Sequence, residues 1–272
     1  MLAGYDFMLV RHHFQHHGLK LIGIFVAVFG LLMLTAGGAY YVYAAKAHAS
    51  LSQLNVYVPV SSIDPPMVAV VEPLIDQPAS PVEAVSQDVL GPSVPEEVRA
   101  FQAEQALVNS FTPINNSQAK LVGSLQPPTR ILVPAVGVNT SVTQLAIRDL
   151  GDSRTYETPK FYAGHIPESA NPGEAGSAWF FGHLNSPVML EGAVFSELPK
   201  IPGLLRRDQN VYVIADNGAQ QYLYRVTSTE VVYQDDMKLY DTGRATIHLV
   251  TCIPSLVYDY RLVVTGQLVG VK

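Results

Sequence analysis

Between Lys20 and Lys46 the chain carries no charged residue, and most of Leu21 to Ala45 is Leu, Ile, Val, Phe, Ala or Gly. No other feature restricts folding as much. A bilayer core accepts a helix of about 20 apolar residues. Lipid offers no partner to exposed backbone groups, so a helix is the conformation open to a single span. Tyr40, Tyr41 and Tyr43 cluster at the outer end, where aromatic rings favour the membrane interface. Arg11 and Lys20 precede the run, and the positive-inside rule assigns that side to the cytoplasm. The reading is a cytoplasmic tail over 1–20 and a single-pass transmembrane signal-anchor helix over 21–45, with the remainder extracytoplasmic. Ala45-Lys46-Ala47 and Ala47-His48-Ala49 resemble small-residue cleavage sites. The apolar run exceeds the roughly 7–15 residues of a signal peptide's core, however, which favours an uncleaved anchor. His12, His13, His16 and His17 lie in the tail without a carboxylate or thiol among them, and they read as a solvated, weakly cationic flank.

Past the apolar run the texture changes. Residues 47–125 hold nine prolines, two glycines, three aromatics, eight acidic and two basic residues. So little aromatic content and so much proline suit a stiff acidic spacer, and the extracytoplasmic linker is placed at 46–125. Pro95-Glu96-Glu97 opens an Ala/Gln/Leu-rich run, which predicts a short helix at 96–110. Asp64-Pro65, some sixty residues before the folded region, is assigned no role.

From 126 to 272 the pattern is β. Arg130–Val133, Ser141–Ile147, Ala178–Phe181, Val211–Ala215, Gln221–Thr227, Glu230–Tyr233, Thr246–Thr251 and Leu262–Leu268 are short runs rich in Val, Ile and Tyr. Asp216-Asn217-Gly218 punctuates two of them as a hairpin turn. About eight short strands with little helix predict an all-β closed barrel or sandwich. This region has twelve basic and fourteen acidic residues, so most of the chain's net −6 sits in the spacer. The absence of a basic face argues against nucleic acid as a partner.

Cys252 is the only cysteine in the chain. It cannot form an internal disulfide, and a lone cysteine in an exported protein is a candidate reactive thiol. It closes the strand-like Ile247–Cys252, and Tyr260-Arg261-Leu262-Val263-Val264 forms the next strand after a short Pro-containing loop. A cysteine nucleophile works as the thiolate, whose formation a neighbouring cation favours. A histidine donates a proton to the departing amine, and an arginine fork holds a carbonyl oxygen as it becomes negative. Three histidines are available in this region. His248 lies four residues before Cys252, about 13 Å along a strand, and reads as a barrel-face residue. His165 sits in the loop-like His165-Ile166-Pro167-Glu168, whereas His183 follows Gly182 at the end of an apolar run. The pattern favours His183 and leaves His165 open.

These motifs together resemble the sortases, membrane-anchored cysteine transpeptidases of bacterial surfaces. Leu249-Val250-Thr251-Cys252 matches the family's Thr-Leu-x-Thr-Cys motif, with His248 where Thr is usual. Phe181-Gly182-His183 matches the segment bearing the family histidine, and Tyr260-Arg261-Leu262-Val263 the strand bearing its arginine. Arg130 to Val138 resembles the opening of the barrel, and Pro172-Gly173-Glu174 and Phe195-Ser196-Glu197-Leu198 fall in the expected order. The resemblance covers 126–272 as the catalytic domain and implies a closed eight-stranded β-barrel. It implies Cys252 as nucleophile, His183 as general acid, Arg261 as substrate and oxyanion support, and Thr251 as a substrate-pocket residue. It further implies partners: surface proteins bearing a C-terminal sorting signal similar to Leu-Pro-x-Thr-Gly, and an amine acceptor such as a cell-wall precursor. No cofactor is implied.

Two other readings use the same residues. One is a pilin-polymerising sortase that takes a pilin lysine as acceptor, ranked second because neither a lid near the barrel nor a C-terminal span is evident. The other is a non-catalytic, membrane-anchored barrel that binds peptides. Glu168, Glu174 and Glu191 lie in loops near His183, but without Ca²⁺-loop spacing they read as solvated acids, and no metal is assigned.

Overall fold

The computed structural model describes residues 6–59, 96–114, 125–149, 154–156, 159–186 and 190–272. The Asp64-Pro65 dipeptide and the side chains of His12, His13, His16 and His17 lie outside the described residues. The chain divides into two units, 1–51 and 52–272. The first is dominated by α1 (Asp6–Ala49), whose apolar stretch from Ile22 onward is long and apolar enough to cross a membrane. Ile22, Phe25, Leu31 and Tyr41 are all exposed, as a lipid-facing surface would be.

In chain order the second unit comprises β1 (Val56–Tyr57), α2 (Glu96–Asn109), β2 (Thr112–Pro113), β3 (Arg130–Val133), β4 (Val138–Gln144), β5 (Ile147–Asp149) and β6 (Arg154–Tyr156). It continues with β7 (Ala163–His165), β8 (Ser177–Phe181), α3 (Ile201–Leu205), β9 (Tyr212–Asp216), β10 (Gln221–Tyr233), β11 (Thr246–Ile253) and β12 (Tyr260–Val271). Eight of these strands close a barrel in the order β10, β9, β3, β4, β7, β8, β11, β12, with β12 pairing back to β10. Closure removes the open edges an eight-stranded sheet would otherwise present. Two contacts are parallel, β4 with β7 and β8 with β11. β1 adds to β10 and β2 adds to β12.

The predicted hairpin at Asp216-Asn217-Gly218 joins β9 to β10. Asp216 accepts from the Gly218 amide (2.6 Å), and Asn217 Oδ1 accepts from the amides of Ala219 (3.0 Å) and Gln220 (2.8 Å). Such side-chain acceptors stabilise the turn without a strand partner. The helix predicted at 96–110 coincides with α2. Leu107 and Val108 near its end, and Phe111 beyond it, pack on Ile214, Leu223, Tyr212 and Val269 of the barrel.

The strand count of eight holds, but its composition differs from the sequence pattern. Gln221–Thr227 and Glu230–Tyr233 are one strand, β10, whose register slips between Val226 and Ser228. A bulge of that kind leaves one residue unpaired and bends the strand without ending it. The eighth strand is β7, three buried residues that carry no alternating pattern. The run read as Ser141–Ile147 is divided between the end of β4 and the start of β5.

Candidate functional site

β11 is buried along nearly its whole length, as a strand covered on both faces must be. Cys252, at its seventh position, is half-buried. The antiparallel ladder to β12 sets Cys252 directly opposite Arg261, and opposed residues share one face of a sheet. On the other side β8 runs parallel, with His248 beside Trp179 and Val250 beside Phe181. The ladder continues one step further, because the Gly182 amide donates to Val250 O (3.1 Å). Counted on by one residue per strand, that register brings the His183 backbone to the level of Cys252. Cys252, His183 and Arg261 therefore stand on three neighbouring chain segments at one end of the barrel.

Local packing fixes each of them. A side chain on Gly182 would meet Phe195 at 2.5 Å and Val194 at 2.8 Å, so glycine lets the fully buried Phe195 ring lie against the backbone. Phe195 also donates its amide to His183 O (3.0 Å), which holds the histidine at the strand exit. Arg261 is anchored through Nη1, which donates to the carbonyls of Tyr258 (2.8 Å) and Tyr260 (3.0 Å). Its Nη2 reaches Gln234 Oε1 at 3.5 Å. Tyr258 in turn donates its hydroxyl to Asn185 Oδ1, and Asn185 Nδ2 donates to Ser255 Oγ (2.8 Å). Asn185 therefore ties the loop after His183 to the loop between Cys252 and Arg261. Leu256 and Tyr258 in that loop hold left-handed φ of 67° and 61°, backbone strain of the sort that collects at functional sites.

Burial pushes the Cys252 thiol above its ordinary value, and the Arg261 guanidinium pulls it back down. The guanidinium thus acts on the sulfur electrostatically. Thr251, on the opposite face of β11, is buried, and its Oγ1 has no hydrogen-bond partner in the structure.

The other two histidines are structural. His165 ends β7 instead of lying in a loop and is fully buried, with Nδ1 at 3.1 Å from Gln144 Oε1 and Nε2 at 3.0 Å from Ala170 O. Burial lowers its pKa, and the Ala170 carbonyl and Glu174 offset part of the shift. His248 stacks on Trp179 at 4.0 Å between ring centroids. Its Nδ1 meets Thr265 Oγ1 (3.0 Å), while its Nε2 meets Thr246 Oγ1 and Ser177 Oγ, both at 3.3 Å. Burial lowers its pKa to about 4.

The loop acids part company as well. Glu174 is an internal cap that accepts from the amides of Leu125 and Asn171. Beside it, Gly173 leaves room for the Tyr222 ring, which a side chain there would meet at 2.2 Å. Glu191 is not a freely solvated acid: its Oε2 lies 3.9 Å from His183 Nε2, and its Oε1 lies 3.5 Å from Lys160 Nζ. Sequence reasoning missed this contact, along with Asn185, Tyr258 and Gln234, because each depends on how separate loops meet. Among the described residues no group of three or more His, Cys, Asp or Glu is arranged to hold a metal ion.

A family model described as the sortase domain matches residues 131–269, just over half of the 272-residue chain. Among solved structures, sortase A from Listeria monocytogenes is 18% identical, with a TM-score of 0.39, over 54% of this chain and 90% of that chain. Sortase C1 from Streptococcus agalactiae is 18% identical, with a TM-score of 0.40, over 63% of this chain and 86% of that chain. A Clostridium perfringens sortase D5 transpeptidase is 19% identical, with a TM-score of 0.40, over 65% of this chain and 91% of that chain. Among curated proteins none matches this sequence.

Proposed function

The chain belongs to the sortase family of cysteine transpeptidases, and from that premise we propose that it cleaves a C-terminal sorting signal and rejoins the acyl chain to an amine. The supporting observation is the register that sets Cys252 opposite Arg261 and at the level of His183. The sulfur of Cys252 attacks the threonine carbonyl of a signal similar to Leu-Pro-x-Thr-Gly, forming a tetrahedral oxyanion. Arg261 supports that oxygen, a role suited to a fixed charged fork. As the peptide C–N bond breaks, His183 gives its proton to the departing amine, leaving a thioester on Cys252. An acceptor amine of a cell-wall precursor then attacks the thioester carbonyl and loses a proton to His183. The new amide forms, and the sulfur leaves as thiolate. We assign Thr251 to the wall behind the nucleophile, because it is buried on the face of β11 opposite Cys252.

The N-terminal apolar helix, together with the family, supports membrane anchoring. We place the N-terminus in the cytoplasm and the barrel outside, because Arg11 and Lys20 precede the span. The test is to incubate the full-length chain in detergent micelles with a panel of Leu-Pro-x-Thr-Gly-type peptides and to weigh the intact protein. The expected result is an acyl adduct on Cys252 that an added amine removes. If wild type and Cys252→Ala give the same spectra across the panel, the non-catalytic peptide-binding reading takes its place.

A further inference from the structure

The Nε2 atom of His183 is buried and has no hydrogen-bond partner, although the ring sits at the mouth of the site with its side chain 22% exposed. A buried ring nitrogen without a partner is costly. The group that faces it is the Glu191 carboxylate, 3.9 Å away. That carboxylate is held in place: Ser186 Oγ donates to its Oε2 (3.4 Å), and Lys160 pairs with its Oε1 (3.5 Å). The backbone around it is pinned too, with the Phe161 amide donating to Glu191 O (3.0 Å) and the Leu190 amide to Ser186 O (2.8 Å). Leu190 and Gly192 on either side have left-handed φ of 53° and 91°.

We propose that Glu191 is the positioning residue for His183, its carboxylate accepting a hydrogen bond from Nε2–H and so reserving Nδ1 for proton exchange at Cys252. The proposal rests on the reading of His183 as the proton donor. The two ring nitrogens point in diverging directions, and the hydrogen bond made by one settles which role the other plays. The 3.9 Å separation is about 1 Å beyond hydrogen-bonding distance, and contacts of this kind tend to be long in unliganded sites. Among the described residues, other charged or titratable groups at this end include the thiol of Cys252, Arg261 opposite it, and Tyr258 and Asp259 from the following loop. None of them hydrogen-bonds to Nε2. Lys160, with its side chain 59% exposed, faces the far oxygen of Glu191.

The experiment uses the full-length chain in micelles, labelled with ¹⁵N-histidine. The wild type should show an imidazole Nε2–H proton of His183 that exchanges slowly with solvent, assigned by its loss in His183→Gln. Glu191→Leu should lose that protection and lower kcat by roughly tenfold with KM unchanged. Glu191→Gln, whose amide oxygen still accepts, should recover most of both. An His183 N–H signal and a kcat that are the same in all three chains would overturn the proposal. So would a loss of kcat in Glu191→Leu that Glu191→Gln fails to recover while the amide spectrum shows an intact fold. The exchange measurement needs no turnover. A protected Nε2–H in a chain that forms no thioester would therefore count against the proposed function and leave Glu191's role standing.

Discussion

His248 lies on β11 and His183 just beyond the end of its neighbour β8, and the two live in opposite conditions. His248 is fully buried, stacked on Trp179, and meets three hydroxyl oxygens with its two nitrogens. His183 sits at the strand exit, partly open, with one nitrogen unpartnered and a carboxylate just out of bonding reach. A polar side chain whose every group is matched contributes specificity and rigidity to a core. One left unmatched beside a thiol and a guanidinium keeps its capacity for a reacting partner. The contrast separates architecture from chemistry within four residues, from Trp179, the partner of His248, to His183.

Several outcomes would break or sharpen that contrast. Next to removal of His183 itself, the largest effect belongs to Arg261→Ala, which should cut acyl transfer by about 10²–10³-fold, the cost of one oxyanion donor. The same change removes the charge that offsets part of the upward shift burial imposes on the Cys252 thiol. The pH midpoint for alkylation by iodoacetamide should therefore rise, and an unmoved midpoint would detach Arg261 from the sulfur.

On the architectural side, His248→Ala should cost roughly 2–4 kcal/mol of stability by emptying the space over Trp179 and orphaning its hydroxyl partners. Acyl transfer per folded molecule should stay near wild type. Urea denaturation followed by Trp179 fluorescence gives the first number, and the peptide assay gives the second.

The pH dependence follows from the same burial. His248 has a folded pKa of about 4 against 6.5 unfolded, so between these values the unfolded chain binds more protons. Stability is complete above pH 6.5 and falls by about 3 kcal/mol as pH drops to 4, after which this contribution is exhausted. His165 shifts in the same direction. In His248→Thr the loss over that window should be visibly smaller; an identical loss would mean that other groups govern acid sensitivity.

The smallest effect is expected at the clamp. Asn185→Ala breaks the link from the His183 loop to Ser255 and Tyr258. It should lower kcat by about tenfold for roughly 1–2 kcal/mol of lost hydrogen bonding. Tyr258→Phe should reproduce part of that loss, since it leaves the backbone carbonyl that holds Arg261 in place.

Much of this was legible in the sequence. The barrel announced itself through short Val/Ile/Tyr runs, and β8, β9, β11 and β12 stand where those runs lie. Cys252 and Arg261 were legible because a lone cysteine ends one apolar run and an arginine opens the next. Gly182 marked the exit of β8, for the physical reason that Phe195 packs against its bare backbone. What stayed hidden was non-local. β7 is three residues long, and its pairing with β4 and β8, not its pattern, makes it a strand. Ser228-Thr229 reads as a gap between two runs, yet β10 continues through it, and the bulge at Thr227 is bridged by β12. Glu191 looks like any loop acid until the chain folds it toward His183.

The central claim is that the unmatched histidine does the chemistry while the matched one holds the barrel. Rapid-quench measurement of the Cys252 thioester from a Leu-Pro-x-Thr-Gly-type peptide, in His183→Ala and His248→Thr side by side, tests it most directly. The account predicts that thioester formation falls by about 10³-fold or more in His183→Ala and stays within a few-fold of wild type in folded His248→Thr. Equal rates in the two variants, or the opposite order, would contradict it.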